Sequence, residues 1–340
     1  RGGPSYYMEK ALGKRWMGVL FSVLLIICFA YGFNGLQSYN MSSALEYYIP
    51  GYSESSYPMI VGLILAVGTG LIIFGGVHRI GFITSVMVPI MAGAYLLMGL
   101  FTIVTHLPQL PGIFAMILSE AFDFQAIFGG MAGSAVVIGI KRGLFSNEAG
   151  MGSAPNAAAS ASVSHPAKQG MVQVISVFID TLLICSATAM MLLLSGVQGE
   201  AGVLDGIPFV QKAISANVGT WGIHFITASI FAFAFSSLIG NYYYAESNIL
   251  FIKNNKVLLF VFRCTCLLAV FLGAQADFSL VWNLADITMG CMAIVNIIAI
   301  LLLGNIALKV LKDYETQKKA GKNPVFKAEN VGIKNTDCWK

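Results

Sequence analysis

Apolar residues in this chain gather into eight long runs, at 16–38, 59–77, 82–106, 124–143, 169–196, 219–252, 257–275 and 279–311. Polar or Gly/Pro-bearing stretches separate them. A helix that crosses a bilayer needs roughly 20 apolar residues, and each run is about long enough. None of them alternates polar and apolar residues over ten positions, as a membrane-barrel strand would. The pattern predicts an all-α polytopic membrane protein with eight spans. They form one transmembrane domain over 1–315, followed by a tail over 316–340. The last run has 33 residues, long for one helix and short for two.

Charge placement orients the spans. Basic residues accumulate on the cytoplasmic side of membrane proteins. Arg1, Lys10, Lys14 and Arg15 precede the first span, and Arg79 follows the second. Lys141, Arg142 and Lys168 follow the fourth, Lys253, Lys256 and Arg263 flank the start of the seventh, and eight more fall in 309–340. Loops 39–58 and 107–123 and the turn 276–278 carry none, and loop 197–218 carries Lys212 alone. In an eight-span topology 19 of the 20 basic residues lie on one side. Both ends are therefore expected in the cytoplasm, with the protein in the cell (inner) membrane and the last run kept as one span.

Composition narrows the class. Hydrophobic residues make up 57% of the chain and charged residues 11%, against roughly 25% charged in soluble domains. Mean hydropathy is +0.76. These values exclude a soluble enzyme, a disordered chain and a disulfide scaffold. Five of the six cysteines sit in apolar runs, and none forms a Cys-x-x-Cys pair. The four histidines are isolated from one another, without metal-ligand spacing. The expected partners are the lipid bilayer and small solutes, with no nucleic acid.

Apolar runs explain insertion. Polar groups and helix breakers within them are expensive, so function is sought there. Residues 31–40 hold Gly32, Asn34, Gly35, Gln37 and Asn40, which either line a polar cavity or fray at a helix end. Phe128-Gly129-Gly130-Met131-Ala132-Gly133-Ser134 has three glycines in five residues. It reads as an unwound break exposing backbone carbonyls and amides, or as close packing through small residues. Gly68-Thr69-Gly70 is read as packing. Ser236 and Ser237 stand beside Gly240-Asn241 and offer hard oxygen donors for an alkali cation, or bond back to their own helix. Asp180, Asn283, Asp286 and Asn296 also lie at membrane depth. For the two aspartates the preferred role is structural.

The run from Lys141 to Pro155, Lys-Arg-Gly-Leu-Phe-Ser-Asn-Glu-Ala-Gly-Met-Gly-Ser-Ala-Pro, resembles the signature of the alanine-or-glycine:cation symporter family. Arg1-Gly-Gly-Pro-Ser-Tyr-Tyr, the 32–40 segment, His165-Pro-Ala-Lys-Gln-Gly, Phe178-Ile-Asp-Thr and Trp282-Asn-Leu-Ala-Asp with Gly290 look like the same family. The resemblance implies a sodium-driven symporter for alanine or glycine on the inverted-repeat transporter fold, working by alternating access. The eight spans then correspond to core helices three to ten. By the same resemblance Gly129, Gly130 and Met131 sit in the break of core helix six. Gly32 and Gln37 line the amino-acid pocket, and Ser236 and Ser237 bind sodium on core helix eight. Ser237 and Asn241 also face substrate. Many relatives carry threonines at the serine pair and a tryptophan where Asn241 stands. The signature is expected on the cytoplasmic side, shaping the inner gate. Phe209, Val210, Ala213 and Ile214 suit an outer lid helix.

One departure shapes the expectation. The counterparts of core helices one and two, which supply much of the substrate and sodium site in the family, are not found in these residues. The 340-residue polypeptide alone is therefore expected not to transport. A channel would need rings of like residues, and a membrane enzyme would need paired carboxylates or histidine clusters. A non-transporting homologue and a proton-coupled carrier are the nearer alternatives.

Overall fold

The computed structural model describes residues 2–75, 77–122, 131–199, 204–333, 336 and 339, with the side chains of 77–84 and 131–136 left out. Gly129 and Gly130 lie outside the described residues. Met131 opens a helix, with its side chain outside the description.

The regular elements among the described residues are helices. In chain order they are α1 (Pro4–Lys10), α2 (Arg15–Tyr48), α3 (Tyr57–Ile73), α4 (Val77–Thr105), α5 (Leu110–Ala121) and α6 (Met131–Asn147). They continue with α7 (Ala154–Ala158), α8 (Pro166–Leu193), α9 (Gly206–Val218), α10 (Trp221–Ile252), α11 (Lys256–Gly273) and α12 (Phe278–Lys319). Six segments are long and apolar enough to cross a membrane: α2, the Ser85–Thr105 part of α4, α8, α10, α11 and α12. The apolar α3 is shorter. A helix lies over each of the eight apolar runs, and α6 runs on to Asn147, past the end expected at 143.

The most enclosed helix is α2, where Phe21, Leu25, Cys28, Phe29, Ala30 and Leu36 are fully buried. The reason is legible in its spacing. Asn34, Ser38 and Ser42 recur at a helical interval and share one face. Asn34 Nδ2 donates to Cys266 Sγ (3.2 Å), Ser38 Oγ to the Val270 carbonyl (2.6 Å) and Ser42 Oγ to the Ala274 carbonyl (2.7 Å). Gly35 and Gly273 let the two backbones meet, and a Cβ on Gly273 would collide with Gly35. Small residues with interhelical hydrogen bonds bind helices in lipid. The 31–40 segment therefore remains helical, and one of its faces is used for packing on α11. Gly62 and Gly70 of α3 pack on α11 in the same way, against the Phe271 carbonyl and Leu267.

Two stretches are wound as π-helix, Ile26–Phe33 in α2 and Ile179–Cys185 in α8. Such turns recur at functional positions. Gly32 lies in the first and Asp180 in the second.

At one end of the bundle α9 forms a cap, with Ala213 and Ile214 fully buried. Gln211 Nε2 donates to the Ala44 carbonyl (2.9 Å) and to Thr227 Oγ1 (2.8 Å), tying α2 to α10. At the opposite end the tail folds back. Ser164 Oγ donates to the Pro324 carbonyl (2.9 Å), Lys168 Nζ to Asn323 Oδ1 (2.7 Å) and the Phe326 amide to the Ser164 carbonyl (2.9 Å). His165 is fully buried beside Asp313 (3.2 Å), between the rings of Tyr314 and Phe326.

Candidate functional site

The centre of interest is a break between α6 and α7. Helix α6 stops at Asn147 and α7 starts at Ala154, with Pro155 in its first turn. Between them the backbone turns left-handed three times, at Glu148 (φ 54°), Gly150 (φ 81°) and Gly152 (φ 94°). Among the described residues Glu148 is the one non-glycine with positive φ. Such a conformation in a side-chain-bearing residue is strained and is held by its surroundings. The Glu148 carboxylate is bonded by the Ser153 hydroxyl across the break. The Ala149 amide donates to Asn147 Oδ1 (3.0 Å) and the Met151 amide to the Glu148 carbonyl (3.2 Å). The amides of Gly150 and Gly152 donate to no protein acceptor among the described residues.

Both sides of the break are anchored. On the α6 side, Ser146 Oγ donates to Asp180 Oδ2 (2.6 Å) and Asn147 Nδ2 to Thr181 Oγ1 (3.2 Å). Asp180 thus holds the end of α6 on the π-wound turn of α8. On the far side, Asn156 Nδ2 donates to the Gly152 carbonyl (3.1 Å), and Asn248 Nδ2 of α10 donates to Asn156 Oδ1 (3.1 Å). Asn248 Oδ1 accepts from Ser5 (2.6 Å) and Ser22 (3.0 Å). Asn296 Nδ2 of α12 donates to the Gly150 carbonyl (2.8 Å), while its Oδ1 accepts from Tyr7. Burial raises the Tyr7 hydroxyl well above the ordinary tyrosine range, so it stays a neutral donor. The amino-terminal motif and the signature loop thus form one buried polar network. Gly3 and Gly152 make the fit possible. A Cβ on Gly152 would lie 2.8 Å from Asn296 Cγ and 2.9 Å from both Phe21 Cζ and Pro4 Cγ.

A cavity of about 710 Å³ opens against this loop. It is lined by Asn147, Glu148, Gly150, Gly152, Tyr7 and Asn296 of the network and by Ala158, Pro166, Gln169 and Trp339. A smaller cavity of about 350 Å³ lies at the other end, among Tyr39, Ser42, Glu46, Tyr52 and Asp277.

The residues singled out from sequence fall elsewhere. Gly32 is buried with Thr288 Oγ1 3.3 Å from where its Cβ would stand, and Gln37 is half-buried one turn beyond Phe33. Ser236 Oγ donates to its own helix at the Phe233 carbonyl (2.8 Å), leaving its oxygen lone pairs free. Ser237 is half-buried, and a Cβ on Gly240 would meet nothing within 4 Å among the described residues. Asn241 is buried with Nδ2 unpaired among the described residues. Phe29 packs on Tyr244 (5.5 Å between ring centres), and Met41 and Leu238 belong to one buried apolar cluster, so α2 and α10 pack together along this stretch. None of these residues lines the larger cavity.

The expected break at 128–134 falls mostly outside the described residues, and α6 is continuous from Met131. The break that is described lies within the signature, by contacts deep in the bundle. Arg142 reaches Asp286, which is eight residues into α12 and so about 12 Å along it. The cue was Gly150 and Gly152 followed by Pro155, a stop signal and then a start signal.

The sodium:alanine symporter family model matches residues 1–328. The chain is 46% identical to the amino-acid carrier protein AlsT of Bacillus subtilis over 341 residues, covering 100% of this chain and 72% of that protein. It is 47% identical to the probable sodium/glutamine symporter GlnT of the same organism, covering 100% and 70%. It is 34% identical to the sodium/alanine symporter AgcS of Methanococcus maripaludis, covering 95% and 71%. With the match running through both motifs that meet at the helix break, the chain belongs to the sodium:alanine symporter family.

Proposed function

We propose that this chain carries the core of a sodium-coupled symporter for small neutral amino acids, alanine and glycine first, with the α6–α7 break as its solute-binding centre. The observation that carries this reading is the break itself. It leaves the Gly150 and Gly152 amides without protein acceptors beside a cavity of about 710 Å³. Broken helices serve this purpose in carriers: the carboxyl-terminal half-helix end attracts a cation, and free amides attract a carboxylate. Here the carbonyl end of α6 suits the ammonium group or sodium, and the loop amides suit the carboxylate. By the family resemblance Gly32 and Gln37 on α2, with Ser237 and Asn241 on α10, are assigned to the substrate path beside the break, away from the wall of the 710 Å³ cavity. Ser236 and Ser237 are assigned to sodium; the back-bonded Ser236 hydroxyl keeps its lone pairs for a cation. Gly129, Gly130 and Met131 remain assigned to substrate through the family resemblance.

In this reading all eight helices span, both chain ends are cytoplasmic, and the cavity opens inward. The α9 cap and a column of rings, Tyr39–Phe278–Trp282–Phe145–Phe33, close the outer side, with centroids 4.9–6.1 Å apart. Sodium favours the outward-open form, the amino acid follows, and inner opening releases both. No covalent step is involved.

A second reading of substrate size has its own support. Asn241 stands where many relatives carry a bulky indole, and the chain is 47% identical to a probable sodium/glutamine symporter. Glutamine is therefore the competitor to test first.

The test is uptake of labelled alanine, glycine and glutamine by the complete gene product in vesicles, with and without a sodium gradient. Sodium-independent uptake would overturn the coupling. Ser237→Ala should raise the sodium needed for half-maximal uptake at least about fivefold, the lower range of a binding coupling. An unchanged sodium dependence would remove Ser237 from the site.

A further inference from the structure

The contact between α6 and α12 on the outer side of the break is unusual for its depth. Arg142 bonds Asp286, and Lys141 Nζ stands 4.0 Å from the same carboxylate. The Arg142 guanidinium lies 4.3 Å above the Trp282 ring and 5.5 Å from that of Phe145. Phe145 in turn packs on Trp282 (5.3 Å) and Phe33 (4.9 Å). Asp286 is 17% exposed and Arg142 35%. The Trp282 Nε1 donor beneath this stack is buried without a partner among the described residues.

Helix α6 is tied on its other side to the π-wound turn of α8, through Ser146–Asp180 and Asn147–Thr181. Toward α12 it reaches with the Arg142 and Phe145 side chains. One wall of the break is thus fixed to α8 and clasped to α12.

We propose that Arg142, held between Asp286 and Trp282, is a latch that shuts the break from the outer side and parts when that side opens. The physical reason is hydration. Separated charges at membrane depth are expensive, so the pair parts when water enters from outside. Closing expels that water and joins the ions over the indole, where cation–π attraction adds to the pairing. The unpaired indole N–H is a cost of the closed form and lowers the work of opening. Arg142 acts by positioning α6 and does not touch the solute.

This inference rests on the transport reading above, and its test separates the two. Arg142→Gln keeps a polar side chain but shortens it and removes the charge. A latch lost in this way shifts the population toward the outward-open form. The external alanine concentration for half-maximal uptake should fall at least about fivefold, while maximal uptake falls. Arg142→Lys, which keeps the charge but loses the fork and the stacking, should lie between. The second measurement needs no transport. Cys28 is fully buried on α2, one turn before Gly32, whose Cβ position lies 3.3 Å from Thr288 Oγ1, just beyond Asp286 along α12. With Cys28 as the sole cysteine, a charged thiol reagent added outside should label the Arg142→Gln chain several times faster than the chain with Arg142. Unchanged half-saturation with Cys28 equally protected would overturn the latch and leave a structural tie. Should Arg142→Gln fail to reach the membrane, Arg142→Lys and Trp282→Phe are read by the same two measures. Absence of uptake with Arg142 intact would overturn the transport reading, while the labelling comparison would still decide the latch.

Discussion

Gly152→Ala puts the helix break under the most direct load. The residue sits at φ 94°, beyond the small left-handed region open to L-residues. Holding alanine there costs about 1–3 kcal/mol. The new methyl would also stand 2.8 Å from Asn296 Cγ and 2.9 Å from both Phe21 Cζ and Pro4 Cγ. Those atoms belong to α12, α2 and α1, so relief in one direction compresses another element. Overpacking of this kind costs about a further 1–3 kcal/mol, for a total of roughly 2–6 kcal/mol. Gly150→Ala separates the two parts. It shares the strain at φ 81°, but among the described residues its Cβ would meet only Ile297, at 3.8 Å. Gly150→Ala should therefore cost about 1–3 kcal/mol, and the difference between the variants reads the collision. Thermal unfolding of the detergent-solubilised protein is the assay, with alanine uptake alongside. A fall in Tm of at least about 4 °C is expected for Gly152→Ala, with a smaller fall for Gly150→Ala. Equal, wild-type melting in both would refute the left-handed break and the three-way contact together.

Other outcomes follow from the same packing. Asn248→Leu strands Asn156 Oδ1 and leaves the Ser5 and Ser22 hydroxyls, 2.7 Å apart, with one surplus donor between them; at about 1–3 kcal/mol per unpaired buried group, its melting temperature should fall below that of any single-serine variant. Gly273→Ala meets the Gly35 backbone, which cannot swing away, and should abolish folded expression in fluorescence-detected gel filtration. Gly139→Ala meets nothing within 4 Å among the described residues and should express normally. Removing residues 321–340 takes away the Phe326 ring over His165 and the Asn323 partner of Lys168. Trypsin cleavage after Lys168 in inside-out vesicles should then accelerate, and an unchanged rate would show that the tail does not shield this loop.

Asp286 and Asp180 show how far residue type alone carries a role. Both stood out as carboxylates at membrane depth. Their partners, Arg142 and Ser146, lie more than thirty residues away in the chain, and no local rule pairs them. The serines of α2 and α10 make the same point. Ser38 and Ser42 bond carbonyls of α11, whereas Ser236 bonds its own helix, and the facing element decides which.

The sequence by itself determined the membrane class, the helices over all eight apolar runs and the family. Apolar length, helical periodicity and an unbroken signature are local properties, and each survives without knowledge of neighbours. Only the tertiary structure decided that the signature loop, Glu148–Ser153, is a break seated between α8, α10 and α12. Only it decided that the amino-terminal motif braces this loop and that the tail closes over His165. The physical reason is that a left-handed backbone and a buried polar group are stable only when distant elements complete them. Asn248, Asn296 and Asp180 do so here, and nothing in their own surroundings along the chain says what they will meet.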